Sequence, residues 1–390
     1  MTRPAIEMAD IVRRRGRQFL KRFKAVVNYQ QLKAYRAIER CRTAALGGHK
    51  DKCEGCPYEA PISYNSCRSR CCPKCQAQAR KRWLETQQRD LLNTNYFHIV
   101  FTLPHELNPL ALTSRRPVLD LLFEAVSQTL LEVAADPRRL GAEIGFLAIL
   151  HTWGSNLLPH YHIHCVVPGG GLSADHQRWI PTSHPMFLLP VPTLRRVFRE
   201  KFLAGLSQLY RRGLLKLSGP AASLRDPAHF AQVIDKLSNK KWYAYAKPPF
   251  GGPQHVLRYL GRYTHRMAIS NHRITGFDGK RVSFRWRDYA HGNKQRIMTL
   301  DAVNFLCRFF LHVLPRGFVR IRRYGLLSNR FRKQLLPLAR TLLAAQGREP
   351  MPLPPLPECA PWHCPRCGRP MRVVQRFTAQ ELYFRGFDSS

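Results

Sequence analysis

Acidic residues are scarce in this 390-residue chain, which has 25 Asp and Glu against 63 Lys and Arg and a formal net charge of +38. So large a charge on a folded protein indicates a polyanionic partner, with nucleic acid the first candidate. The alternative is a basic surface that is merely solvated. Hydrophobic residues make up 44% of the chain, enough to bury a core. The chain is therefore not expected to be a disordered tail.

Long apolar runs are missing too. No stretch approaches the roughly 18 apolar residues of a membrane span, and the Arg-rich N-terminus has no apolar signal core. We therefore expect no membrane partner and a cytoplasmic location, where the twelve cysteines suit metal better than disulfides. The phosphate-binding motif Gly-x-x-x-x-Gly-Lys-Ser/Thr is also absent, so a DNA substrate would need host machinery to unwind it or would have to be single-stranded already.

The cysteines are clustered. Two Cys-x-x-Cys hooks, Cys53 with Cys56 and Cys72 with Cys75, are separated by fifteen residues. This spacing predicts one structural zinc ion held by four thiolates, because each hook lets two sulfur atoms of one tight turn reach a tetrahedral ion. Three further residues lie close enough to replace a ligand or to hold a second ion, namely His49, Cys67 and Cys71. Basic residues of the same segment are candidate phosphate contacts, namely Arg68, Arg70 and Lys74.

A second cysteine hook lies near the C-terminus. A proline-rich spacer at 350–357 precedes Cys364-x-x-Cys367. Cys359 and His363 could complete a second zinc site there, although their spacing is unusual.

Three histidines alternate in the run His160-Tyr-His162-Ile-His164-Cys-Val-Val. Side chains of a strand alternate between faces, so the three imidazoles would share one face. Imidazole nitrogen suits a divalent cation, and ligands on a rigid strand reach it without ordering a loop. His162 and His164 are the main candidates, with His160 as a candidate third ligand. In the alternative interpretation the histidines only form hydrogen bonds.

Two tyrosines follow at helical spacing. Residues 254–264 are predicted to be helical, and Tyr259 and Tyr263 would lie one turn apart on one face. Two tyrosines at this spacing are often packing residues. Here basic side chains surround them, as beside a phosphate. These are Arg258, Arg262, His265 and Arg266.

The remaining pattern mixes helices and strands. Strands are predicted at 96–104, 145–153, 241–247, 267–270, 273–275 and 282–286, and helices at 10–46, 76–93, 117–135, 193–217 and 301–314. The strand at 145–153 is expected to pair antiparallel with the histidine strand. Residues 316–340 contain no acidic residue and are predicted to form a surface that contacts the phosphates of a nucleic-acid backbone. Arg320, Arg322 and Arg323 are the candidate contacts.

These features suggest four regions: a basic helical segment at 1–46, a zinc-binding domain at 47–93, a catalytic domain at 94–345, and a spacer with a cysteine-containing tail at 346–390. A metal on the histidine strand would polarise a phosphate, and a tyrosine hydroxyl could attack that phosphate to form a phosphotyrosine.

Three motifs together resemble the rolling-circle transposases of the HUH two-tyrosine class, the insertion-sequence ninety-one family. They are His162-Ile-His164 followed by Cys-Val-Val-Pro-Gly-Gly-Gly-Leu, Tyr259-Leu-Gly-Arg-Tyr263-Thr-His-Arg, and the cysteine module from Ser63-Tyr-Asn-Ser-Cys67 to Cys75. The resemblance implies an α+β fold, with an antiparallel sheet flanked by helices (an RRM- or ferredoxin-like core) behind an N-terminal zinc-binding domain.

The resemblance also implies a chemistry. It assigns Mg²⁺ or Mn²⁺ to His162 and His164, single-stranded DNA as the substrate, and Tyr259 and Tyr263 as nucleophiles that form 5′-phosphotyrosine. One departure is Cys71, where the family pattern leads us to expect histidine, which leaves the zinc ligand set open.

Two other functions compete with this one. The chain could be a zinc-dependent DNA-binding protein without catalysis, or a metal-dependent nuclease that uses water. A covalent protein–DNA adduct would distinguish the transposase from both.

Overall fold

The computed structural model describes residues 4–250, 255–256, 267–288, 291–348 and 362–384, without the side chains of 77–82 and 248–250. The helices are α1 (Met8–Arg22), α2 (Tyr29–Glu39), α3 (Pro73–Gln88), α4 (Asn108–Thr113), α5 (Arg115–Ala135), α6 (Val191–Arg211), α7 (Pro227–Asn239), α8 (Ala302–Phe310), α9 (Arg332–Ala344) and α10 (Ala379–Phe384). The strands are β1 (Gly48–Cys53), β2 (Ser63–Tyr64), β3 (Tyr96–Thr102), β4 (Gly145–Trp153), β5 (Pro159–Pro168), β6 (Gly170–Leu172), β7 (Trp179–Pro181), β8 (Tyr243–Phe250), β9 (Ile274–Phe277), β10 (Arg281–Asp288), β11 (Lys294–Asp301), β12 (Ile321–Gly325) and β13 (Met371–Phe377).

A five-stranded sheet organises the molecule. Its strand order is β12-β4-β5-β3-β8, and every neighbouring pair is antiparallel. The predicted antiparallel sheet flanked by helices is thus confirmed, as is the pairing of the histidine strand β5 with β4. Among the described residues, no helix combines the length and apolar character needed to cross a membrane.

The two faces of this sheet differ in chemistry. On one face Phe101, Phe146 and Ile163 are fully buried against α5 and α6, in the largest apolar core of the described chain. Burial of each large apolar side chain contributes on the order of 2 kcal/mol. The other face carries the histidines of β5, because their side chains alternate with the core residues.

Local sequence signals set several helix boundaries. The side chain of Asn28 accepts from the backbone N–H of Gln31 (3.0 Å) at the start of α2. Asp226 caps α7 just before Pro227, and Asp301 caps α8 by accepting from the N–H of Asn304 (3.1 Å). Such caps satisfy N–H groups that have no partner inside the helix.

A second core joins the N-terminus to the later part of the chain. α1 and α2 pack against α8 and the small sheet β9–β10–β11, with Ile11, Ile38, Phe284 and Phe305 fully buried. The basic segment at 1–46 is therefore built into a core that residues 267–313 share. The four regions predicted from sequence remain predictions.

Three predicted boundaries need correction. β8 continues through Pro248 and Pro249, which an edge strand tolerates because one side of it needs no hydrogen-bond donor. The predicted strand at 267–270 is irregular, since Ala268 has a φ of 56°. The helix that Asp301 caps ends at Phe310 rather than 314.

Candidate metal centre

The register of the central sheet brings three histidines together. Tyr161, Ile163 and Cys165 enter the main core, so His162 and His164 project from the opposite face of β5. On the neighbouring strand β4, His151 lies directly opposite His162 and shares its face. One ring nitrogen from each of the three lies within 4.8 Å of the others, and His164 Nε2 is 3.1 Å from His151 Nδ1.

His151 was missed by the sequence reasoning. It is a single histidine in an apolar strand, and only the pairing with β5 reveals its place beside His162. The indole of Trp153 stacks on the His151 ring with centroids 4.7 Å apart and an interplanar angle of 19°. This stacking restricts the orientation of the imidazole, as a metal ligand requires.

His160 does not belong to the cluster of ring nitrogens, which corrects its place as candidate third ligand. The register between β4 and β5 shifts between His151 and Trp153, and His160 lies opposite this irregular part of β4. Its ring lies near those of His162 and His105, with centroid distances of 4.7 and 5.7 Å, but its nitrogen atoms are not part of the group. Its backbone is used, however, because the Nδ1–H of His162 donates to the carbonyl oxygen of His160 (2.9 Å). A carbonyl only accepts, so this bond leaves Nε2 of His162 as the ligand atom.

His98 on β3 supports His164 from the other side. Its Nε2 lies 2.9 Å from Nδ1 of His164, and both rings are buried. Burial, together with the charge of Lys247, lowers the pKa of His98 to about 3, so its ring is neutral. When Nδ1 of His164 donates to this neutral ring, Nε2 of His164 keeps its lone pair for a cation. Metal-binding histidines are commonly oriented by such a partner.

The cluster is held in its ligand form. Burial first, and then the neighbouring imidazoles, lower the pKa of His162 and His164 well below the ordinary histidine value. Both rings are therefore neutral near pH 7, the form that binds metal. His151, His162 and His164 are 5%, 9% and 6% exposed, so little water competes for their nitrogens.

These residues fit a divalent cation. Metal–nitrogen bonds near 2.1 Å place two ligand atoms about 3 to 3.5 Å apart, and the 3.1 Å between His151 and His164 agrees. Three ligands leave coordination positions for a substrate oxygen or water. The described cluster contains no carboxylate, and imidazole nitrogen suits transition-metal ions better than the oxygen-preferring Mg²⁺.

Tyr259 and Tyr263 lie outside the described residues, as do Arg258, Arg262 and Arg266. The described residues His255 and Val256 are helical, and Val256 is fully buried on the histidine face of the sheet. It packs with Tyr96, Leu147 and Val166.

Four cysteines gather next to the second core. Cys41 follows α2, Cys67 lies in the loop between β2 and α3, and Cys72 and Cys75 lie at the start of α3. The sulfur atom of Cys41 lies 3.6 Å from that of Cys75 and 3.7 Å from that of Cys72. A tetrahedron with 2.3 Å zinc–sulfur bonds has sulfur atoms about 3.8 Å apart, whereas a disulfide needs about 2.05 Å. The spacing fits a zinc ion.

The predicted zinc ligand set needs correction. Cys53 and Cys56 do not share a site with Cys72 and Cys75 but face Cys364 and Cys367. Cys67 does join the first cluster, whereas Cys71 belongs to neither cluster and His49 lies 3.5 Å from Asp51. Cys41 was not considered from sequence because it lies outside any hook.

Several residues predicted to bind nucleic acid have partners within the protein. Lys74 pairs with Glu7 at 2.7 Å, Arg323 with Asp90 at 3.1 Å, and Arg322 with Asp120. Arg70 donates to the backbone carbonyl oxygens of Phe318 and Pro315 at 2.7 and 2.8 Å. Arg320 is half-buried, while Arg68 is exposed. The acidic residues that pair with arginines of 316–340 come from segments distant in sequence. The charge of the local sequence therefore could not predict these ion pairs.

Comparisons with known proteins agree with this architecture. A family model described as "Putative transposase" matches residues 145–334, and one described as "Transposase zinc-binding domain" matches residues 11–103. The chain is 49% identical over 343 residues to "Putative transposase y4qJ" of Sinorhizobium fredii, covering 88% of this chain and 85% of that protein. It is 29% identical over 360 residues to the "Transposase for insertion sequence element IS801" of Pseudomonas savastanoi pv. phaseolicola, covering 88% and 83%. No solved structure matches the chain.

Proposed function

Because the chain belongs to the IS91 family of transposases and carries an N-terminal zinc-binding domain, we propose that it cuts single-stranded DNA at element ends by tyrosine attack and transfers the cut strand. DNA binding and DNA cleavage with transfer are general properties of a transposase. The tyrosine chemistry, the single-stranded substrate and the rolling-circle course are the proposal. The observation that carries it is the cluster of His151, His162 and His164 on one face of the central sheet.

A Mn²⁺ or Mg²⁺ ion held by these three histidines would draw charge from the scissile phosphate and favour attack at phosphorus. The protein's own part is positional. Hydrogen bonding of His162 to the His160 carbonyl and of His164 to His98 fixes the ring orientations before DNA arrives. Preorganised groups do not have to reorganise at the moment of reaction.

In the proposed step the phenolic oxygen of Tyr259 or Tyr263 attacks phosphorus. The new bond joins tyrosine Oη to phosphorus, the bond from phosphorus to O3′ breaks, and the phenolic proton is balanced by protonation of O3′. The products are a 5′-phosphotyrosine and a free 3′-hydroxyl. A later attack by a 3′-hydroxyl reverses the reaction on another strand, so no energy cofactor is needed. A second tyrosine allows two linked cuts in one cycle.

The position of Val256 supports this assignment. Val256 belongs to the same apolar cluster as Val166, which lies two residues after His164 on the same face of β5, or roughly 7 Å along the strand. Tyr259 follows Val256 by three residues and Tyr263 by seven, which corresponds to about 4.5 and 10.5 Å along the axis of the predicted helix. The chain therefore has the reach to bring either hydroxyl to the histidine cluster.

The test uses oligonucleotides that carry the element ends, labelled at the 5′ or the 3′ end, incubated with the protein and Mn²⁺ and separated on a denaturing gel. We expect a protein–DNA adduct that resists detergent and keeps the label located 3′ of the cut. Tyr259→Phe with Tyr263→Phe should bind the same DNA and form no adduct, because Phe keeps the ring and lacks the oxygen.

Cutting without an adduct would support a water-using nuclease, and binding with neither would support a zinc-dependent DNA-binding protein. Each result overturns the proposal.

A further inference from the structure

The second cysteine cluster joins the two ends of the chain. Cys53 and Cys56 belong to the N-terminal region, whereas Cys364 and Cys367 lie beyond both segments that the family models match. We propose that these four cysteines hold a zinc ion that fastens the C-terminal segment 362–384 to the N-terminal zinc-binding domain. This site is independent of the proposed function.

The sulfur geometry suits a tetrahedral ion. Cys53 and Cys367 have sulfur atoms 3.4 Å apart, and Cys56 and Cys364 have theirs 3.7 Å apart. Zinc–sulfur bonds of 2.3 Å predict about 3.8 Å, whereas a disulfide would need about 2.05 Å. All four sulfur atoms lie within 4.8 Å of one another. Four thiolates are enough to fill the tetrahedral coordination shell of zinc.

The two hooks have matching turns. The N–H of Gly55 donates to the sulfur of Cys53 at 3.3 Å, and the N–H of Arg366 donates to the sulfur of Cys364 at 3.4 Å. In each hook the amide two residues after the first cysteine thus stabilises negative charge on that sulfur. Thiolate is the form that binds zinc. Gly368, with a φ of 72°, closes the second hook by donating from its N–H to the Cys364 carbonyl at 2.9 Å.

Strand pairing continues from the cluster. β13 runs antiparallel to β1, with Cys53 opposite Met371 and Gly48 opposite Phe377. The metal site and the strand pair therefore hold the same two segments. Cys53 and Cys367 are 314 residues apart in sequence. A link across so long a loop removes more freedom from the unfolded chain than a short loop does, although the gain grows only logarithmically.

Zinc content of purified variants tests the site. Cys367→Ser should contain one zinc fewer per molecule than the wild type, and Cys53→Ser should lose the same ion. The double variant Cys53→Ser/Cys367→Ser should therefore lose one ion in total. Cys53→Ser/Cys72→Ser should lose two, whereas a site shared by both N-terminal hooks would give a loss of one. Cys307→Ser is the matched control, because this half-buried thiol belongs to neither cluster.

Amide hydrogen exchange tests whether the zinc ion holds segment 362–384 on the N-terminal zinc-binding domain, and this measurement does not depend on activity. Amides of β13 should exchange at least tenfold faster in Cys367→Ser, while those of β5 stay unchanged. Unchanged zinc content in Cys367→Ser, or β13 exchange equal to the wild type, overturns the proposal.

A separate observation concerns the edge of the central sheet. Tyr243, Tyr245 and Lys247 alternate along the edge strand β8 and are all exposed, with 65% exposure for Tyr243 and 54% for Tyr245. The register places Tyr243 in one row with Thr102 and His162. Tyr245 shares a row with Val100 and His164.

These rows place the two tyrosines on the histidine face, two strands or roughly 10 Å from the cluster. From this juxtaposition we infer that Tyr243 and Tyr245 form a stacking platform for two successive bases of a single strand entering the metal centre. Their Cα atoms are about 7 Å apart along the strand. Lys247 would meet the backbone phosphate. This inference rests on the proposed function.

The test measures the Kd for a single-stranded oligonucleotide without metal. Tyr243→Ala/Tyr245→Ala should weaken binding at least about 30-fold, because stacking contributes roughly 1–3 kcal/mol per base and the variant loses it for two bases. Replacement of both by Phe should leave the Kd within about threefold. Tyr29→Ala is the control, because Tyr29 is 71% exposed on α2. An unchanged Kd in the alanine variant overturns the platform, even if the wild type forms its adduct. Absence of an adduct in the wild type overturns the proposed function instead.

Discussion

The cluster of Cys41, Cys67, Cys72 and Cys75 offers four ligands, whereas the cluster of His151, His162 and His164 offers three. Four thiolates complete a tetrahedral shell, so such a site stabilises the fold and excludes substrate. Three imidazoles leave positions for a substrate oxygen. The surroundings differ accordingly, since the cysteines join loops and a helix start while the histidines project from two adjacent strands. Ligand number and backbone support thus distinguish the cysteine cluster, which suits a structural zinc ion, from the histidine cluster, for which we propose a role in the reaction.

The largest effect should come from removal of a histidine ligand. His162→Ala and His151→Ala should each lower strand cleavage at least about 1,000-fold with an unchanged circular dichroism spectrum, because the metal supplies several kcal/mol in the transition state. His160→Ala is the matched control and should retain cleavage within about tenfold, because its ring is not a ligand. If His160→Ala loses as much activity as His151→Ala, the third ligand has been assigned incorrectly.

Removal of a cysteine ligand should instead damage the fold. Apparent zinc-binding energies of roughly 10–16 kcal/mol exceed the total stability of many domains, about 5–15 kcal/mol. Cys72→Ser should therefore lose one zinc, and the soluble protein that is recovered should unfold at a clearly lower urea concentration than the wild type. Cys71→Ser, a change of the neighbouring buried thiol outside the cluster, should keep the metal. Equal zinc content in the two variants would contradict the ligand set.

A smaller effect should come from the group that orients a ligand. His98→Ala removes the partner of His164 Nδ1 and leaves the three ligands in place. We expect metal affinity to fall about 10- to 100-fold. Cleavage at saturating Mn²⁺ should recover to within a few-fold of the wild type. His98→Gln, which can still accept from Nδ1, should restore part of the affinity. If Mn²⁺ titration gives the same affinity for His98→Ala and wild type, His98 has no positioning role.

The last effect concerns stability and not activity, at His312, a buried histidine outside the histidine cluster. His312 Nε2 lies 3.0 Å from the carbonyl oxygen of Leu157, and burial lowers the pKa of His312 to about 4. In the unfolded chain His312 takes up a proton as the pH falls through about 6.5, whereas in the folded chain it does so only near pH 4. The His312 contribution to the free energy of unfolding is therefore complete above pH 6.5 and falls by about 1.4 kcal/mol per unit between pH 6.5 and 4. When urea unfolding is measured between pH 6.5 and 4, the free energy of unfolding should fall less steeply with decreasing pH in His312→Gln than in the wild type. Equal pH dependence in the two proteins would refute this.

The sequence predicted local features well and long-range pairings poorly. The alternation of His160, His162 and His164 predicted both the strand and its polar face, and the two N-terminal hooks predicted zinc. His151 and Cys41 were missed because each reaches its cluster through tertiary contact and belongs to no local motif. The hooks themselves were paired incorrectly, since β13 brings the C-terminal cysteines to Cys53 across more than three hundred residues.

The basic surface shows the same limit. Arg322 and Arg323 lie in a segment without acidic residues. Arg322 nevertheless pairs with Asp120 of α5, and Arg323 pairs with Asp90, which lies just after α3. Sequence windows record charge, whereas pairing depends on the fold. The proposed tyrosine nucleophiles remain an inference from sequence and from the reach of the chain after Val256.

The most direct measurement of the central claim is mass spectrometry of the protein after reaction with a single-stranded element end and Mn²⁺, followed by nuclease and protease digestion. We predict a nucleotide attached through its 5′ phosphate to the peptide that contains Tyr259 or Tyr263, and no such peptide from His162→Ala. Cleaved DNA without a modified tyrosine, or a modification on any other residue, would contradict the account.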